Sequence, residues 1–199
     1  MNSDLEITFT GNDVIFTFLG ALIIFGLASA FVLITGFNER FISLFHKQFK
    51  NRSDLVDLSG VLLTLFFVAL QEEVLYRGYI TLNLLSNGPR VIIIVSTVIF
   101  TAIHLFTNRA DIYQLASWLI GGAILSYVYL VSGSIWVAVI LHFTIDTTNV
   151  IVFNIVGKYS IFPSIPQLSK PKLTMYRLSY TLILVITSLA LYGPVFNLT

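Results

Sequence analysis

Six stretches of this chain are apolar over lengths that suit a bilayer, and that feature removes most folds from consideration. A spanning helix needs about 20 mostly apolar residues. Val14 to Phe37, Leu58 to Ser86, Val91 to Phe106, Ile112 to Val131, Ile135 to Val156 and Arg177 to Phe196 meet that length approximately; the second is long and the third short. Composition agrees, with 56% apolar and 11% charged residues, where a soluble domain carries about 25% charged residues. The expectation is an all-α, polytopic transmembrane bundle of about six spanning helices, one domain over residues 1–199.

The absence of cysteine excludes disulfides, thiolate metal sites and a cysteine nucleophile. A net charge of +1 without a long basic run leaves no footprint for nucleic acid. The first apolar stretch is longer than a secretory signal core and follows an acidic start (Asp4, Glu6, Asp13), so it reads as a retained helix. Between the first two stretches, Phe37, Phe41, Leu44, Phe45, Gln48 and Phe49 recur at helical spacing, with Lys47, Lys50 and Arg52 on or near the other side. That pattern suits an amphipathic helix in the headgroup layer, although a plain connector with aromatics reads the same way. Positive charge orients the bundle. With the N-terminus outside, the inner loops hold Arg40, Lys47, Lys50, Arg52, Arg109, Lys158, Lys170, Lys172 and Arg177, and the outer loops only Arg90. The loops over 38–57 and 157–176 are therefore expected in the cytoplasm. Trp118, Trp136, Tyr113 and Tyr176 fall near span ends, as interface aromatics do. "SNGPR" (Ser86 to Arg90) reads as a helix stop and "VSGS" (Val131 to Ser134) as a tight turn.

Against this hydrocarbon background, "LFFVALQEEVLYRGYI" sets Glu72, Glu73 and Arg77 inside the second stretch. A charge at mid-membrane costs about 2.5–3.5 kcal/mol on insertion scales, so such groups pair, face the interior or serve a function. Glu73 and Arg77 are four apart and share a helix face. Glu72 points about 100° away from Glu73 and is free to act elsewhere. Alternatively, all three charges form one ion-pair cluster between helices. The third stretch adds His104 in "FTAIH", and the fifth adds His142 and Asp146 in "HFTID", with Asn149 on the same stripe. A lone intramembrane histidine is usually a packing residue; five titratable groups on three spans call for a common partner, a wet cavity or a reaction.

In that order, E-E-x-x-x-R, F-x-x-x-H and H-x-x-x-N/D resemble the CAAX protease and bacteriocin-processing family, also called type II CAAX prenyl endopeptidases or the Abi family. The likeness covers about residues 58–156. It implies an intramembrane peptidase in which Glu72 and His104 activate a water, His142 and Asp146 stabilise the oxyanion, and Glu73 and Arg77 orient and neutralise. Asp146 departs from the asparagine found in the best-studied members. Either it is protonated, or it orients His142 as a cation, or another group donates, with Asn149 a substitute. Metal-free water activation is expected, so no cofactor. Glu72, His104, His142 and Asp146 nevertheless make a plausible zinc set.

By the same resemblance, the expected partners are membrane lipids and a small membrane-associated peptide or lipidated protein: a bacteriocin, a pheromone precursor or a CAAX-like tail. The setting would be a bacterial cell membrane. The family's association with bacteriocin self-immunity keeps a non-catalytic immunity or signalling partner as the alternative, and a proton relay would use the same residue types. No H-E-x-x-H, rhomboid-like G-x-S-G or paired Y-D and G-x-G-D motif is present to support another intramembrane protease. Counted along each span, His104 falls nearer the cytoplasmic end than Glu72 or His142, a mismatch of about 10 Å that tilt or uneven span ends would have to level.

Overall fold

The computed structural model describes residues 52–107 and 110–151, with isolated helical residues between 15 and 30 and between 178 and 190. The first and sixth apolar stretches fall largely outside the described residues, and the amphipathic segment before Arg52 and the 157–176 loop wholly so.

Everything described is helix and turn, as hydrocarbon requires of a chain that must satisfy its own backbone polar groups. α1 (Arg52–Glu73) continues as a π-helical segment (Val74–Ile80), a short α2 (Thr81–Leu84) and a 3-10 turn (Leu85–Asn87). α3 (Pro89–Thr107), α4 (Ile112–Ser132) and α5 (Ile135–Ile151) follow. The continuous helix Leu58–Asn87, α3 and α4 are each long and apolar enough to cross a membrane. α1 starts at Arg52, inside what the sequence pattern reads as linker, because nothing between Arg52 and Asp57 breaks a helix.

Turn chemistry fixes the joints. Gly88 has φ +83° and Gly133 φ +65°, conformations that side chains with a Cβ rarely adopt, and Gly133 donates its N–H to the Tyr129 carbonyl at 2.9 Å. Asp111 caps α4 by accepting the Gln114 N–H at 2.8 Å. α3 packs on α4, and α1 on α5. The first pair closes over Gly122, where a Cβ would lie 3.2 Å from Phe100 Cδ1. The second meets at an edge-on pair, Phe66 and Phe143, near a core of Tyr129, Ile135, Ala138 and Val139. Leu63, Phe67, Leu75, Tyr79, Ile94 and Val98 point outward, an apolar exterior suited to lipid tails.

This packing removes the expected depth mismatch. Glu72 lies 15 residues before Asn87 and His104 lies 15 after Pro89, so the two are level when counted from the turn they share. α5 starts deep in the bundle, with Ile135 Cδ1 3.5 Å from where a Cβ on Gly78 would sit. Gly78 is six residues beyond Glu72 and His142 seven beyond Ile135. Uneven span ends thus bring all three to one level of the bundle.

Candidate active site

Glu72 and Glu73 close α1, and their side chains leave the helix in different directions. Glu73 turns inward. Its Oε1 accepts Arg77 Nη1–H at 2.8 Å and faces His142 Nδ1 at 2.7 Å. Both Glu73 and Arg77 are completely buried. Arg77 Nη2 donates to the Gly122 carbonyl at 2.8 Å, and the guanidinium carbon lies 5.2 Å from the Phe100 ring centroid. Charge-assisted bonds of this kind are the strong ones, and in a dry interior they define a geometry rather than merely add attraction.

Glu72 turns the other way. Its Oε2 lies 3.8 Å from His104 Nε2 and 3.8 Å from His142 Nε2. These are too long for hydrogen bonds, and Glu72 Oε2 has no hydrogen-bond partner among the described residues. Asp146 Oδ2 approaches the same His142 Nε2 at 3.6 Å. The consecutive carboxylates thus address opposite edges of one imidazole: Glu73 binds Nδ1, and Glu72 faces Nε2.

Tautomers follow from the partners. His104 Nδ1 lies 2.9 Å from the Phe100 carbonyl, which can only accept, so the ring proton sits on Nδ1. Neutral His104 then presents the bare Nε2 lone pair to Glu72. Its ring is held by Phe100 (centroids 4.3 Å apart) and Trp118 (5.1 Å). His142 Nδ1 likewise donates to Glu73, the carboxylate already paired with Arg77.

Each site residue named from sequence can now be placed. Glu72, His104, His142 and Asp146 converge; Glu73 and Arg77 support from behind. Asn149 is half-buried one turn beyond Asp146 and makes no hydrogen bond among the described residues. The alternative of a single three-charge cluster fails, since Glu72 is directed at the histidines while Glu73 takes Arg77. Among the described residues no group of three or more His, Cys, Asp or Glu side chains is arranged to hold a metal ion as the side chains stand.

Three features were not anticipated from the sequence. Gly122 supplies the carbonyl for Arg77; the Gly121–Gly122 pair inside a span was the available signal. Trp118, expected as an interface aromatic, walls the His104 ring. The π-helical segment directly after the two carboxylates carries no local signature in "VLYRGYI".

None of the curated proteins and none of the solved structures compared with the chain matches it. Residues 54–148 match the family model described as type II CAAX prenyl endopeptidase Rce1-like, a segment that contains every charged and imidazole group of the site. Through that segment the chain, whose helices are long and apolar enough to cross a membrane, is similar to the Rce1-like type II CAAX prenyl endopeptidases.

Proposed function

We propose that this protein hydrolyses a peptide bond of a small membrane-associated peptide or protein, using a water activated by Glu72 and His104. The observation that carries this reading is the pair of 3.8 Å separations from Glu72 Oε2 to the two Nε2 atoms. A water oxygen about 2.8 Å from each of two atoms so spaced subtends about 85°, which lets it donate to Glu72 and to the bare His104 lone pair together. The water oxygen attacks the scissile carbonyl carbon while its proton passes to the Glu72–His104 pair. The oxyanion takes a hydrogen bond from His142 Nε2–H, with His142 protonated on both nitrogens and Asp146 orienting it as a cation. The C–N bond then breaks and the held proton goes to the leaving amine. General acid–base assistance of this kind contributes about 10²–10⁴-fold, and a fixed oxyanion donor about 3–4 kcal/mol.

Glu73 and Arg77 hold His142 in register. Asn149 is the reserve donor on the same stripe. Membrane lipids and a bacteriocin, pheromone precursor or CAAX-like tail are the partners, without nucleic acid and without a metal. The setting is a bacterial cell membrane, with the N-terminus outside.

The test is cleavage of membrane-anchored peptides by purified protein in lipid nanodiscs. Glu72→Ala and His104→Ala at equal protein level should each lose at least about 10²-fold. Unchanged cleavage by both would remove this mechanism. An immunity phenotype that survives both, with the fold intact, would support the non-catalytic alternative.

A further inference from the structure

A second polar system runs outward from Arg77, and the reaction outlined above does not use it. Ser96 on α3 and Ser126 on α4 are fully buried. Ser96 Oγ reaches the Tyr76 carbonyl at 3.4 Å, and that carbonyl also accepts Thr81 Oγ1–H at 3.2 Å. Ser126 Oγ lies 3.4 Å from Ser96 Oγ and 2.9 Å from the Gly122 carbonyl, the same oxygen that binds Arg77. Its single proton goes to one or the other. Glu73, Arg77, the Gly122 carbonyl, Ser126, Ser96 and the Tyr76 carbonyl thus lie in one row of neighbouring polar groups, in which Ser126 bonds to the Gly122 carbonyl or to Ser96 at any one time.

Tyr76 lies inside the π-helical segment. A π-turn carries one more residue than an α-turn and recurs at functional sites. Its carbonyls are set wider than in an α-helix, and here buried hydroxyls fill the place at Tyr76. Other hydroxyls in the bundle take the ordinary bond to the carbonyl four residues back, as Thr144 does to Ile140 and Thr148 to Thr144. Ser96 instead bonds across helices to a carbonyl of the π segment. Were the segment to relax to α-helix, Glu73 and Arg77 would still share a face, but one residue of phase, about 100°, would turn Glu72 and Glu73 relative to the helix beyond Ile80 and the neighbours it packs on.

We propose that Ser96 and Ser126 are positioning residues that hold the π-turn open and thereby keep Glu73 on His142 and Glu72 on the reactive side. This rests on the peptidase reading for its kinetic consequence, but not for its structural one. Serine and alanine differ by one hydroxyl, and alanine is the better helix former, so the Ser96→Ala/Ser126→Ala double variant retains the bundle.

The test measures two things on the full-length protein in nanodiscs. In peptide cleavage, the double variant should lose about tenfold in kcat with KM unchanged, and Ser126→Thr, which keeps the hydroxyl, should stay near wild type. In ¹⁵N NMR of the histidine rings, only three histidines are present, and the His142 Nδ1 signal should move in the double variant and return in Ser126→Thr paired with native Ser96. Wild-type kcat together with an unmoved His142 signal overturns the proposal. If the wild-type protein cleaves nothing, the peptidase reading fails and the His142 signal alone decides this one.

Discussion

The two edges of the His142 ring face different environments. On the Nδ1 edge, Glu73, Arg77 and the Gly122 carbonyl lie at 2.7–2.8 Å with no solvent exposure of either charged side chain. On the Nε2 edge, Glu72, His104 and Asp146 stand at 3.6–3.8 Å and keep 24%, 19% and 28% of their side-chain surface open. The first set is at hydrogen-bond distance, Glu73 Oε1 taking both Arg77 and His142, although Glu73 Oε2 and Arg77 Nε have no partner among the described residues. The second holds acceptors and a bare lone pair that do not reach one another. Groups kept in membrane only to brace helices would be expected to stand at hydrogen-bond distance, as Glu73, Arg77 and His142 do, rather than apart. One ring bridging both sets suggests a division of labour, with rigidity on one side and reactivity on the other.

That contrast can be broken from either side. Arg77→Met should have the largest effect on the fold, because it leaves the fully buried Glu73 without its guanidinium partner and with His142 alone to bind it. A cost of about 3–5 kcal/mol is expected, seen as loss of folded protein or a large drop in Tm in detergent. A normal Tm would mean that the Nδ1 edge is not a scaffold. Gly122→Ala comes next, since its Cβ would press on Phe100 Cδ1 at 3.2 Å and Thr97 Cγ2 at 3.4 Å. Overpacking of this sort costs about 1–3 kcal/mol, and the α3–α4 seam would also carry the Arg77 acceptor out of place. Asp146→Asn should leave Tm unchanged and lower kcat about tenfold, equivalent to about 1.4 kcal/mol of transition-state stabilisation. Asn149→Ala should do least. It lies seven residues from His142, about 10 Å along the helix, where Asp146 is one turn away; full activity in that variant would strike Asn149 from the site.

Much of the site could be read from spacing because it is written within helices. Glu73 and Arg77, and His142 and Asp146, are i,i+4 pairs, and a helix delivers such pairs to one face whatever surrounds it. The opposite headings of Glu72 and Glu73 were legible for the same reason. What lay outside local pattern was tertiary. The Glu73–His142 bond joins residues 69 apart, and the Gly122 carbonyl is a backbone atom whose use no side-chain motif announces. The level of Glu72, His104 and His142 misled when each span was counted from its own ends; the Gly88 turn and the deep start of α5 set the register. The π-helical segment was invisible because a single glycine, Gly78, inside an apolar helix does not announce a π-turn, and the buried hydroxyls of α3 and α4 that meet it come from distant sequence.

The central claim is that Glu72 works on a substrate rather than on the fold. Peptide profiling of membranes from cells carrying wild-type protein against cells carrying Glu72→Gln at equal abundance tests it most directly. Specific cleavage products should be present with the wild type and absent with the variant, while both proteins show the same Tm. Identical peptide profiles from two equally folded proteins would contradict it.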